Sequence, residues 1–158
     1  MPEQSDSLKD RLQTDLVLAM RAKDELRRTT IRALIAAIRA AEMAGPSARQ
    51  LSEEEAQSVV RTEAKKRHES AEIYAGADRP EQAQRERDEE TLVLTYLPAQ
   101  LSREELATVV DEQVTAAAAQ GRTGMAAMGT VVAAVRARVG QRAGGGDIAA
   151  ATRARLQG

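Results

Sequence analysis

The chain has 158 residues, of which 23 are basic and 24 acidic, for a net charge of −1. That balance argues against a protein that coats a polyanion with its whole surface. It contains no cysteine, Phe or Trp, and Tyr74 and Tyr96 are its only aromatic residues. Disulfides, thiolate nucleophiles and cysteine metal sites are therefore excluded together. Alanine supplies much of the apolar content but buries little area, so a core has to come from Leu, Ile, Val and Met. The start, MPEQSDSLKD, has neither a basic nor an apolar leader segment. The longest apolar run, Met125 to Val135, is too short for the roughly 20 residues a bilayer requires. A cytoplasmic location and no membrane partner are expected.

In chain order, the first predicted helix covers about Leu8–Ala22, with Ser7 as N-cap and Leu8, Leu12, Leu16, Ala19 and Met20 on one face. The second covers about Glu25–Met43. Its stripe is Leu26, Ile31, Leu34, Ile35, Ile38 and Ala41, and Gly45-Pro46 stops it. Ser52 and Glu55 form a capping box that opens a third helix running to Tyr74. A fourth begins at Pro80 and passes through a very polar stretch to Leu94. Tyr96-Leu97-Pro98 breaks it, because Pro98 lacks an N–H and disfavours helix at Leu97. Ser102 and Glu105 repeat the capping box, with Leu101 and Leu106 at hydrophobic-staple positions. The sixth helix is expected over Met125–Val139, with Met125 and Met128 in its core stripe. Gly144-Gly145-Gly146 is expected to be a linker, and Asp147 the cap of a short last helix. The fold class is all-α: an N-terminal four-helix domain, 1–97, followed by a small three-helix C-terminal domain, 98–158. The tail is expected to be separable and to dock lightly through Tyr96, Leu97 and Leu101.

No set of residues suggests a catalytic centre, a metal site or a cofactor. His68, the only histidine, has no second ligand at helical spacing and reads as a solvent-facing residue. Asp88, Glu89 and Glu90 point about 100° apart from one another on a helix and do not converge on one cation. Two basic groups remain. One is Arg61, Lys65, Lys66 and Arg67, interleaved with acids at pairing distance, which reads as a self-paired solvated face and secondarily as a phosphate-facing patch. The other lies in 120–158, where Arg122, Arg136, Arg138, Arg142, Arg153 and Arg155 stand against one acid, Asp147, for a net +5.

Four segments in order, DLVLAMRAKDELRRTTIRALIAAI (15–38), LSEEEAQSVVRTEAKKRHESAEIY (51–74), ETLVLTYLPAQLSREEL (90–106) and MGTVVAAVRARVGQRA (128–143), resemble the GatB/YqeY family. The resemblance implies that the C-terminal domain is similar to the tail of the tRNA-dependent amidotransferase subunit for which the family is partly named. That tail helps hold tRNA. Thr130 stands where the family commonly has lysine, and 140–145 lacks the usual lysine and aspartate, so the six arginines are the candidate RNA contacts. The function this implies is a non-catalytic accessory module that binds tRNA, or an aminoacyl-tRNA synthetase or amidotransferase. The alternatives are a protein-interaction module without RNA contact and, by family label, a carbon–nitrogen ligase with glutamine as amide donor. The last would need an activated nucleophile, and this chain has no cysteine to provide one.

Overall fold

The structure, a computed structural model, describes residues 6–158. Its described residues form seven α-helices and no strand: α1 (Leu8–Arg21), α2 (Glu25–Glu42), α3 (Glu53–Gly76), α4 (Pro80–Leu94), α5 (Arg103–Ala119), α6 (Met128–Val139) and α7 (Gly145–Gln157). None of them is long and apolar enough to cross a membrane. The chain divides into two compact units, Met1–Leu97 and Pro98–Gly158.

Side-chain caps set the starts of α1, α2, α3 and α5. Ser7, Asp24, Ser52 and Ser102 accept from the N–H three residues on, and both serine–glutamate capping boxes are complete. These bonds satisfy donors that a helix N-terminus otherwise leaves open. Arg49 reinforces the box at α3. Its guanidinium donates to both carboxylate oxygens of Glu55, at 2.7 and 2.9 Å, and with the Ser52 N–H bond lowers the pKa of that carboxyl to about 2. Glu53 ties the start of α1 to α3, because both its oxygens accept from the Leu8 N–H at 3.1 Å.

In the first unit the core is Leu8, Leu12, Ala19, Ile31, Leu34, Ile38, Ala56, Val60, Ala64, Val93, Tyr96 and Leu97. Tyr96 and Leu97 are thus core residues of this unit, not the light docking contacts expected of them. The Tyr96 hydroxyl donates to Asp15, and burial together with that carboxylate raises its pKa. Two apolar residues predicted for the core face of α1 lie farther out: Leu16 is half-buried and Met20 is 49 % exposed. The polar helix α4 packs along α3 with few apolar side chains, burying Ala83 and Val93. Charged side chains also meet across the two helices, Arg67 with Glu89 at 3.2 Å and Arg87 with Glu72 at 3.9 Å.

In the second unit, α5, α6 and α7 each pack on the other two around Leu106, Val110, Ala117, Ala127, Val131, Val135, Val139, Ala143 and Ile148. Leu101 packs against this cluster beside buried Leu106, as a staple does. Two expectations fail here. The sixth helix does not begin as α-helix at Met125, because Gly124–Ala127 form a 3-10 turn. With three residues per turn instead of 3.6, that turn rotates the facing of everything before Met128. Met125 is consequently 47 % exposed, while within α6 the fully buried residues are Val131 and Val135. Nor are the three glycines a linker. Gly144 is the N-cap of α7, Gly145 and Gly146 form its first turn, and Asp147 sits inside the helix near the positive end of its dipole.

Candidate nucleic-acid interface

The second unit brings α5 and α7 together along a cleft of about 590 Å³. Its floor is apolar, with Leu101, Leu106 and the alanines at 150, 151 and 154, and its rim carries Arg103 and Arg142. The capping box places Arg103 at the first position of α5, where the side chain is exposed and has no acidic partner among the described residues. The Arg142 position is fixed by backbone bonds around it: the Leu101 N–H donates to the Arg142 carbonyl at 2.8 Å, and the Gln100 amide donates to the Gln141 carbonyl at 3.1 Å. Its guanidinium makes only a long bond, 3.4 Å, to the Ala99 carbonyl. Two acids are close. Asp147 lines the cleft, and the Glu105 carboxyl, held low by the Ser102 N–H and hydroxyl, also feels Arg142.

The six tail arginines do not form one surface. Arg136 turns inward, donating to the carbonyls of Gly140 at 2.6 Å and Ala143 at 3.0 Å in the turn that follows the end of α6. A side chain on Gly145 would stand 3.2 Å from that guanidinium, which gives the glycine a packing reason. Arg138 and Arg155 face acids on α5, Glu112 at 4.0 Å and Asp111 at 2.6 Å. Adjacent residues on a helix diverge by about 100°, so Glu112 serves the α6 side and Asp111 the α7 side. Arg122 donates to the Thr130 hydroxyl at 2.7 Å. Thr130, read in the sequence as a lost lysine, is thus an anchor for a neighbouring arginine. Arg153 is exposed. Among the described residues of this unit, the exposed arginines without an acidic partner are Arg103, Arg122, Arg142 and Arg153. Sequence reasoning missed Arg103 because it sits in an acidic stretch; its signal was the position directly after the Ser102 cap.

The basic group on α3 is self-paired, as its spacing suggests, but it is not a solvated face throughout. Lys66 binds Glu63 at 2.8 Å, Lys65 lies 3.8 Å from Glu69, and Arg61 is also engaged. Arg67 is buried, 8 % exposed, between α3 and α4. It donates to the Glu63 carboxylate at 2.9 Å, to the Glu63 carbonyl at 3.0 Å and to Glu89 at 3.2 Å. Burial would raise the Glu63 carboxyl; the bonds from Lys66 and Arg67 outweigh it and hold the group below the usual carboxylate range. His68 is exposed and stands 3.3 Å from Glu90 on α4, a partner 22 residues away that helical spacing does not reveal. Asp88, Glu89 and Glu90 go to three different partners, Gln84, the Arg67–Arg85 pair and His68. Among the described residues no group of three or more acids or histidine is placed to hold a metal ion.

These features define an all-helical protein whose polar clusters mostly pair internally and whose second unit gathers several unpaired cations. A family model described as YqeY-like protein matches residues 9–156. The chain belongs to the YqeY-like family. No curated protein matches it.

Proposed function

We propose that the chain is a non-catalytic accessory module of the tRNA-charging or amidation machinery, and that residues 98–158 are a separate domain that holds RNA by its phosphates. The observation that carries the reading is the rim of the α5–α7 cleft. There Arg103 and Arg142 stand exposed, and neither is consumed by an ion pair of its own. Arg122 and Arg153 extend the same unpaired charge. Arginine offers bidentate donors suited to phosphate, and such contacts position RNA without reading its sequence. With no aromatic residue beyond position 96, stacking of bases on aromatic rings contributes nothing in this unit.

The reading separates arginines that look equivalent in the sequence. Arg103→Glu with Arg142→Glu is expected to weaken tRNA binding by the full chain about tenfold or more at low salt. Arg138→Gln with Arg155→Gln, which removes only internally paired cations, is expected to change it less than about threefold. Electrophoretic mobility shift with unfractionated tRNA checks both. Equal losses in the two variants would contradict the assignment.

A further inference from the structure

The first unit carries a second exposed feature, on helices the RNA reading does not use. α1 and α2 pack antiparallel: Lys9 near the start of α1 binds Glu42 at the end of α2 at 2.6 Å, and Met20 near the end of α1 touches Arg32 at 4.0 Å. Between them runs a groove lined by Gln13, Leu16, Arg32, Ile35, Ala36 and Arg39, of about 440 Å³. A smaller hollow that shares Gln13, Ile35 and Arg39 continues it toward Lys9 and Glu42. The floor is apolar. Arg32 and Arg39 flank it on α2, both exposed, seven residues apart and so about 10.5 Å along the helix. Among the described residues Arg32 has the Met20 sulfur beside it and no acid, while Glu42, three residues after Arg39, is bound by Lys9 and also feels Arg39. Beyond Arg39 on the same face lies Met43, 72 % exposed. From Arg32 to Glu42 the groove and hollow together run about 15 Å along α2, nearly three helical turns.

We propose that this groove docks an amphipathic helix of a partner protein, one that presents two carboxylates about two turns apart with apolar side chains between them. The spacing of the two arginines matches carboxylates at i and i+7, and the apolar floor matches residues at i+3 and i+4. Each guanidinium offers a fork that fits a carboxylate in two-point contact. The methionines at both ends are unbranched and deformable, suited to a boundary that adapts to what it covers. RNA fits less well. A sugar–phosphate backbone gains nothing from Leu16, Ile35 and Ala36, and the groove has no aromatic ring for a base to stack on.

The test uses the full chain, isotope-labelled for NMR, and a synthetic helical peptide of about 16 residues with Glu at i and i+7 and Leu at i+3 and i+4. Saturable shifts confined to residues 13–20 and 32–43 are expected. Arg32→Glu with Arg39→Glu is expected to weaken the peptide about tenfold or more, and a peptide with Lys in place of both Glu to recover at least about threefold on that variant. Both arginines are exposed, so the variant keeps its helical circular dichroism. No saturation by about 1 mM peptide, shifts centred elsewhere, or an affinity that the double reversal leaves unchanged would each overturn the proposal. So would a loss of tRNA binding in Arg32→Glu/Arg39→Glu as large as in Arg103→Glu/Arg142→Glu, which would make the groove a phosphate site. Failure of the groove leaves the tail reading standing, because the two rest on different residues.

Discussion

Replacing Arg67 with alanine is expected to destabilise the first unit by about 3–5 kcal/mol, the cost of removing one member of a buried ionic cluster. The substitution does more than delete a pair. It leaves the Glu63 and Glu89 carboxylates, only 13 % and 16 % exposed, with no guanidinium between them at the α3–α4 contact. Lys66 and Arg85 stay on these carboxylates, but both are largely exposed and the contact buries few apolar side chains, so compensation is partial. Urea unfolding followed by circular dichroism measures the loss. A change below about 1 kcal/mol, typical of a surface pair, would contradict the placement of Arg67. The deficit also depends on pH. Glu63 has a folded-state pKa below its ordinary 4.5. Stability from its pairing is therefore full above the ordinary value and lost as pH falls through the lowered one. The difference between wild type and Arg67→Ala is expected to shrink in acid.

Arg136→Ala is expected to destabilise the second unit while leaving the first intact. The guanidinium closes the end of α6 with two bonds from a charged donor, and hydrogen bonds to charged groups each contribute about 1.5–3 kcal/mol. A unit of roughly 60 residues has little stability in reserve. At about 4–8 °C per kcal/mol, the midpoint of this unit should fall by about 10 °C or more. Amide exchange resolves the outcome by helix: protection is lost in α5, α6 and α7 and kept in α1 to α4. Simultaneous loss in both units would contradict the reading of 98–158 as a separate domain.

How much of this was legible in the sequence depended on whether the interaction was local. The caps at Ser7, Ser52 and Ser102 join residues three apart, so their spacing alone revealed them. The stop at Leu94 followed from Pro98, and the staple from Leu101 and Leu106. The errors were of two kinds. One came from assuming α-helical phase through Met125, where Gly124 and the 3-10 turn reset it. The other came from treating arginines as equivalent charges. Whether an arginine meets solvent, a carbonyl or an acid on another helix is decided by tertiary packing. Arg67 and Glu89 are 22 residues apart and Arg155 and Asp111 are 44 apart, and no periodicity connects them. The triple glycine misled for a related reason. Its composition reads as a linker, but Gly145 starts a helix beside the Arg136 guanidinium.

The most direct measurement is the affinity of the full chain for tRNA as a function of salt. Two to four phosphate contacts from Arg103, Arg122, Arg142 and Arg153 predict a slope of log K against log salt of roughly −2 to −4, a loss of about 15- to 250-fold between about 50 and 200 mM. Binding that is absent at about 50 mM salt, or present but indifferent to salt, would contradict the account.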